Sequence, residues 1–112
     1  LPGVLHTVRP IALASCPVFT QNCREYTVLN TEHFGPVTQI EVGALLVGRI
    51  QNHQGAGAFQ KGQEKGLFLY GGSTILLLLE PNRARLLPEL LAQCQAGQET
   101  PVRQGQTLGY AI

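Results

Sequence analysis

Methionine is absent from all 112 residues, and only 13% of them carry charge. A chain with no methionine does not begin at its own start codon, so we expect a fragment or processed piece. The formal net charge is +1 and no block of like charge occurs. That leaves no electrostatic footprint for nucleic acid. The longest purely apolar run is Ile75–Leu79, far short of the ~20 residues a membrane helix needs. No signal-peptide pattern is present. Cysteine is limited to Cys16, Cys23 and Cys94, with no C-x-x-C. Reduced thiols of a cytosolic compartment are the plainer reading of so few. The histidines and cysteines lack any recognised ligand spacing, so no metal is expected.

What is present is globular. Hydrophobic residues make up 44% of the chain, enough for one domain with a modest core. Leu1–Pro17 carries three prolines and reads as extended or looped. Arg24–Leu29 is rich in β-formers and reads as a strand. Asn30–Pro36 reads as a turn. Over Val37–Ala44 the residues Thr38, Ile40 and Val42 alternate with Val37, Gln39 and Glu41. A period of two argues a half-buried strand, with Glu41 on its solvated face. Leu45–Ile50 reads as a second strand, and Gln51–Gln63 as a polar loop that leaves His53 in solvent. Leu67–Tyr70 and Thr74–Glu80 are strands on either side of Gly71-Gly72. Thr100–Val102 and Leu108–Ile112 are further short strands.

Only Pro88–Ala96 reads as a helix. Pro88 suits the first helical position, Glu89 the positive end, and Gly97 the C-terminal cap. The expected fold is therefore mainly β, an antiparallel sandwich or barrel-like domain with one short helix. A weak internal echo joins Gly62–Leu67 to Gly105–Tyr110. Both run G-Q-x-x-G into a bulky apolar residue, with Lys61 or Arg103 just upstream. Duplication and chance both fit it.

The stretch Gly71-Gly72-Ser73-Thr74 carries the most chemistry. A serine hydroxyl can attack the carbonyl just before its own nitrogen and turn a peptide into an ester. Glycine leaves that approach open and tolerates strained backbone. β-Elimination and hydrolysis then leave a pyruvoyl group at the new N-terminus. Such a carbonyl condenses with a substrate amine and draws electrons from the neighbouring carbon, so that CO2 can leave. Alone, G-G-S-T also fits an ordinary hairpin turn.

The wider context resembles the phosphatidylserine decarboxylase family. The similar blocks are LPGVLHTV (1–8), PIAL (10–13), EHFGPVTQIEVGALLVGRI (32–50), KGQEKGLFLYGGSTILLLLE (61–80) and ETPVRQGQTLGYAI (99–112). The resemblance implies that Ser73 is the cleavage nucleophile and the precursor of the pyruvoyl cofactor. It implies that Gly72 supplies the attacked carbonyl. Residues 1–72 would end the larger β chain and 73–112 would be the α chain, so 1–112 is a single C-terminal catalytic portion of a proenzyme. The implied reaction converts phosphatidylserine to phosphatidylethanolamine at a membrane surface. The implied place is peripheral, at the cytoplasmic face, with this portion soluble. The cleaved chains would stay associated, and a homodimer fits an open strand edge.

The family also carries an upstream aspartate and an H-x-x-H histidine motif that serve self-cleavage. His6, His33 and His53 show no such spacing. A serine needs a base within hydrogen-bond reach, so the 112-residue chain alone is expected to stay uncleaved and inactive. His6 is a substrate-facing candidate or a surface histidine. Phe68 and Tyr70 wall an amine pocket or belong to the core. Two other functions stay open. One is pyruvoyl-dependent decarboxylation of a soluble amino acid. The other is a non-catalytic β domain of the binding or carrier type, in which G-G-S-T is a hairpin tip.

Overall fold

The computed structural model describes residues 3, 22–43, 50–53, 55–69 and 74–112. The two strongest strand patterns form its first hairpin. Strand β1 spans Arg24–Thr31 and β2 spans Gly35–Val42. The expected seven-residue turn shrinks to residues 32–34 because Thr31 fixes it. The Phe34 amide donates to Thr31 Oγ1 at 3.0 Å, and that hydroxyl donates to the Gly35 carbonyl at 2.7 Å. Gly35 takes φ +67°, a value that suits a residue without Cβ.

Strand β2 is the middle of a three-stranded sheet ordered β1-β2-β5, where β5 is Thr74–Leu79. Among the described residues the buried apolar side chains are Val37 and Val42, both on β2. A central strand loses water on both faces, which explains why the simple alternation fails. Glu41 is only 5% exposed, so the expected solvated position is corrected to a buried one. Asn22 is also buried. Its amide nitrogen donates to the Gly43 carbonyl at 2.7 Å, beside a Gly43-to-Cys23 backbone bond of 2.7 Å.

Two smaller antiparallel pairs follow. Strand β3, Ile50–Asn52, pairs with β4, Gly66–Phe68. Strand β6, Ala84–Leu86, pairs with β7, Gly109–Ala111. Strand β3 continues into the stretch expected to be loop, while residues 44–49 of the expected Leu45–Ile50 strand lie outside the described residues. Thr100–Val102 forms no strand; Pro101 at its centre cannot donate to a ladder. Helix α1 spans Pro88–Gln95, with Pro88 in its first turn and Glu89 beside it. Gly97, at φ +73°, donates to the Cys94 carbonyl at 3.0 Å and ends the helix. The architecture is mainly antiparallel β with one short helix, and the described sheets are not closed.

Contacts divide the chain into two compact units: Leu1–Val28 with Thr38–Leu77, and Leu29–Val37 with Leu78–Ile112. The G-Q-x-x-G echo puts one copy in each. In the first unit the Gln60 amide donates to Gln63 Oε1 at 3.0 Å, Gln63 donates back to the Gln60 carbonyl at 3.1 Å, and Gly62 has φ +83°. In the second, Arg103 donates to Gln106 Oε1 at 2.9 Å, Gln106 donates back at 3.0 Å, and Gly105 has φ +80°. Each turn delivers a glycine into a strand, Gly66 opposite Asn52 and Gly109 opposite Leu86. The two sequences therefore encode one local structure.

The two glycines of each motif do different work. A Cβ on Gly109 would lie 2.3 Å from the Arg85 carbonyl oxygen, whereas one on Gly105 meets open space. Gly109→Ala is expected to push β7 off β6, at a cost of about 1–3 kcal/mol. Hydrogen exchange checks this. The Leu87 and Ile112 amides, which bond Leu108 and Arg83, should lose protection in Gly109→Ala and keep it in Gly105→Ala. Equal protection in both variants contradicts the clash.

Candidate functional site

Of the sequence-derived site residues, Phe68 is described. Ser73, Gly72, Tyr70 and His6 lie outside the described residues. Phe68 ends β4, opposite Ile50 of β3, and Thr74 opens β5. Strand β4 pairs with β3, while β5 pairs with β2 in another sheet. The hairpin-tip reading of G-G-S-T falls on 71–73, which lie outside the described residues. Local sequence gave no sign of the separate pairings of β4 and β5, because partner choice is decided by strands far away in the chain.

Phe68 lines a cavity of about 110 Å³ in the first unit. Ile50, Leu67 and Ile75 share its apolar lining, and Ile75 stands two residues after Ser73. Phe68 is thus placed as a cavity wall. The polar lining comes from Gln39, Glu41, Asn52 and Lys65. These four were not read from the sequence as a group. Only the lysine beside Gly66 and the glutamate on a strand hinted at them.

They form one hydrogen-bonded chain. Lys65 Nζ donates to Glu41 Oε1 and, at 2.7 Å, to Asn52 Oδ1. Gln39 Nε2 donates to the same Glu41 oxygen at 3.1 Å. Asn52 Nδ2 donates to Glu25 Oε2 at 2.5 Å. The β3–β4 register brings Asn52 beside Gly66, and the missing Cβ there matters. A Cβ on Gly66 would meet Asn52 Oδ1 at 2.8 Å. The ammonium offsets the cost of burying the Glu41 carboxylate, which is large for an unpaired charge. One oxygen, Glu41 Oε2, is buried with no hydrogen-bond partner.

His53 adjoins this chain. Its amide donates to the Lys65 carbonyl at 2.8 Å, and Nε2 lies 3.5 Å from Glu64 Oε2. His53 is exposed, as expected of a solvated histidine, and has a carboxylate neighbour. Among the described residues no group of three or more His, Cys, Asp or Glu is placed to hold a metal ion. No helix among them is long and apolar enough to cross a membrane. Cys23 and Cys94 are free thiols.

Known proteins extend this geometry. The family profile for phosphatidylserine decarboxylase matches residues 1–110. Phosphatidylserine decarboxylase proenzyme 2 of Clostridium acetobutylicum is 49% identical over 107 residues, covering 96% of this chain and 36% of that protein. The phosphatidylserine decarboxylase proenzyme of Ruminiclostridium cellulolyticum is 40% identical over 114 residues, covering all of this chain and 38% of its own length. That of Chlamydia trachomatis serovar L2 is 42% identical over 109 residues, 96% of this chain and 36% of its own. The chain spans just over a third of the length of the curated relatives it matches. No solved structure matches. The profile match across nearly the whole chain, with G-G-S-T inside it, shows that the chain belongs to the phosphatidylserine decarboxylase family.

Proposed function

We propose that this chain is the C-terminal catalytic portion of a proenzyme that cuts itself at Gly72-Ser73 and then decarboxylates phosphatidylserine to phosphatidylethanolamine. One observation supports the reading beyond family membership: β4, which ends at Phe68, pairs with β3, whereas β5, which opens at Thr74 directly after Ser73, pairs with β2. A hairpin of β4 with β5 would have favoured a carrier-like domain. Ser73 is the nucleophile and Gly72 the attacked carbonyl, and Phe68 is a candidate wall of the amine pocket. The cofactor, derived from Ser73, supplies an electron-accepting carbonyl. The surrounding residues bind and orient the amine and keep water out.

The same reading places the enzyme peripherally on the cytoplasmic face of a membrane, with the cleaved chains held together by their strands. The described edge strand β5 exposes Ile75, Leu77, Leu78 and Leu79, a surface that fits contact with the rest of the proenzyme or with a second copy. The 112 residues contain no H-x-x-H. The chain by itself accordingly stays uncleaved.

The substrate test uses the complete protein. It should release CO2 from vesicles containing phosphatidylserine and none from free serine or tryptophan. Release from a free amino acid, with vesicles inert, would replace the lipid reading by the soluble one.

A further inference from the structure

Buried polar atoms are almost always hydrogen-bonded, yet Glu41 Oε2 has no partner and its residue is only 5% exposed. The glutamate lines the cavity bounded by Phe68 and Ile75. We propose that this cavity is a binding site for a primary ammonium on a short carbon chain, with Glu41 Oε2 as its acceptor.

The missing partner is a hydrogen-bond donor. A second acceptor or an anion would leave Glu41 Oε2 unsatisfied. An ammonium donates an N–H to the carboxylate, and charge-assisted bonds of this kind are the strong ones.

The cavity measures about 110 Å³, room for a small group such as ethanolammonium. Ile50, Leu67, Phe68 and Ile75 offer apolar contact to its methylenes.

The link to catalysis rests on the function proposed above. Ile75 follows Ser73 by two residues, at most about 7 Å of extended chain. In that setting the site holds the amino end of substrate or product next to the reacting serine, and Glu41 is a binding residue. Occupancy itself requires neither cleavage nor cofactor.

Equilibrium dialysis of labelled ethanolamine near neutral pH tests the site. The complete proenzyme carries Ser73→Ala, so that no covalent capture contributes. Ethanolamine should bind, and choline, which has no N–H to donate, should bind at least about tenfold more weakly. Glu41→Gln should weaken ethanolamine by a similar factor, while Lys61→Gln, in an exposed turn outside the cavity, should not. Equal binding of the two amines, no binding of ethanolamine, or a Glu41→Gln protein that binds as before overturns the proposal. If Glu41→Gln unfolds, the comparison of the two amines on the unaltered cavity still decides. The two proposals fail separately. Ethanolamine binding without decarboxylation by the unmodified enzyme removes the function and keeps the site. Decarboxylation without ethanolamine binding does the reverse.

Discussion

Ser73→Ala in the complete proenzyme is expected to leave one uncut chain and to reduce decarboxylation to background. Alanine keeps the size of serine and removes its hydroxyl, so strands β4 and β5 should form unchanged. Without the hydroxyl no ester forms at Gly72, and no carbonyl cofactor follows. The whole enzymatic acceleration is lost, about 10⁶-fold or more. Gel analysis shows whether the chain is cut, and CO2 release shows the activity. A cut, active Ser73→Ala protein would move both roles to another residue. A protein that is uncut yet active would separate cleavage from chemistry.

Lys65→Met should be the most damaging substitution for stability among the described polar residues. It keeps the length of the side chain and removes the charge that faces Glu41. Breaking a buried ion pair by deleting one partner costs about 3–5 kcal/mol. The Lys65 side chain is 26% exposed and that of Glu41 only 7%, so the lower end, about 3 kcal/mol, is expected. That is a large share of the 5–15 kcal/mol by which typical domains are stable. Urea unfolding reads it as a fall in midpoint. The double variant Glu41→Gln with Lys65→Met should regain much of the loss, because no unpaired charge remains buried. A single variant within ~0.5 kcal/mol of the parent, the usual range for surface changes, would mean that Glu41 is solvated after all.

Local pattern made much of this fold legible. Strands β1, β2 and β5 follow from runs of β-branched and aliphatic residues, and α1 from its proline start and glycine stop. Strand β6 was missed because Ala84-Arg85-Leu86 contains no β-branched or aromatic residue. It is a strand because Gly109 lets β7 come close, which is a long-range cause. Glu41 was misread for a related reason. Its period places it on a polar face, and only Lys65, 24 residues away, shows that this face is covered. Strands were expected on either side of Gly71-Gly72, and β4 and β5 stand there. That those strands belong to different sheets depends on β2 and β3, which no local window contains.

The intact mass of the complete protein under denaturing conditions tests the central claim most directly. The expected result is two species separated at Gly72-Ser73. The C-terminal one should resist N-terminal sequencing and gain mass with hydroxylamine, as a ketone does. A single uncut mass, or a cut that leaves a free amino-terminal Ser73, would contradict self-cleavage to a carbonyl cofactor at this serine.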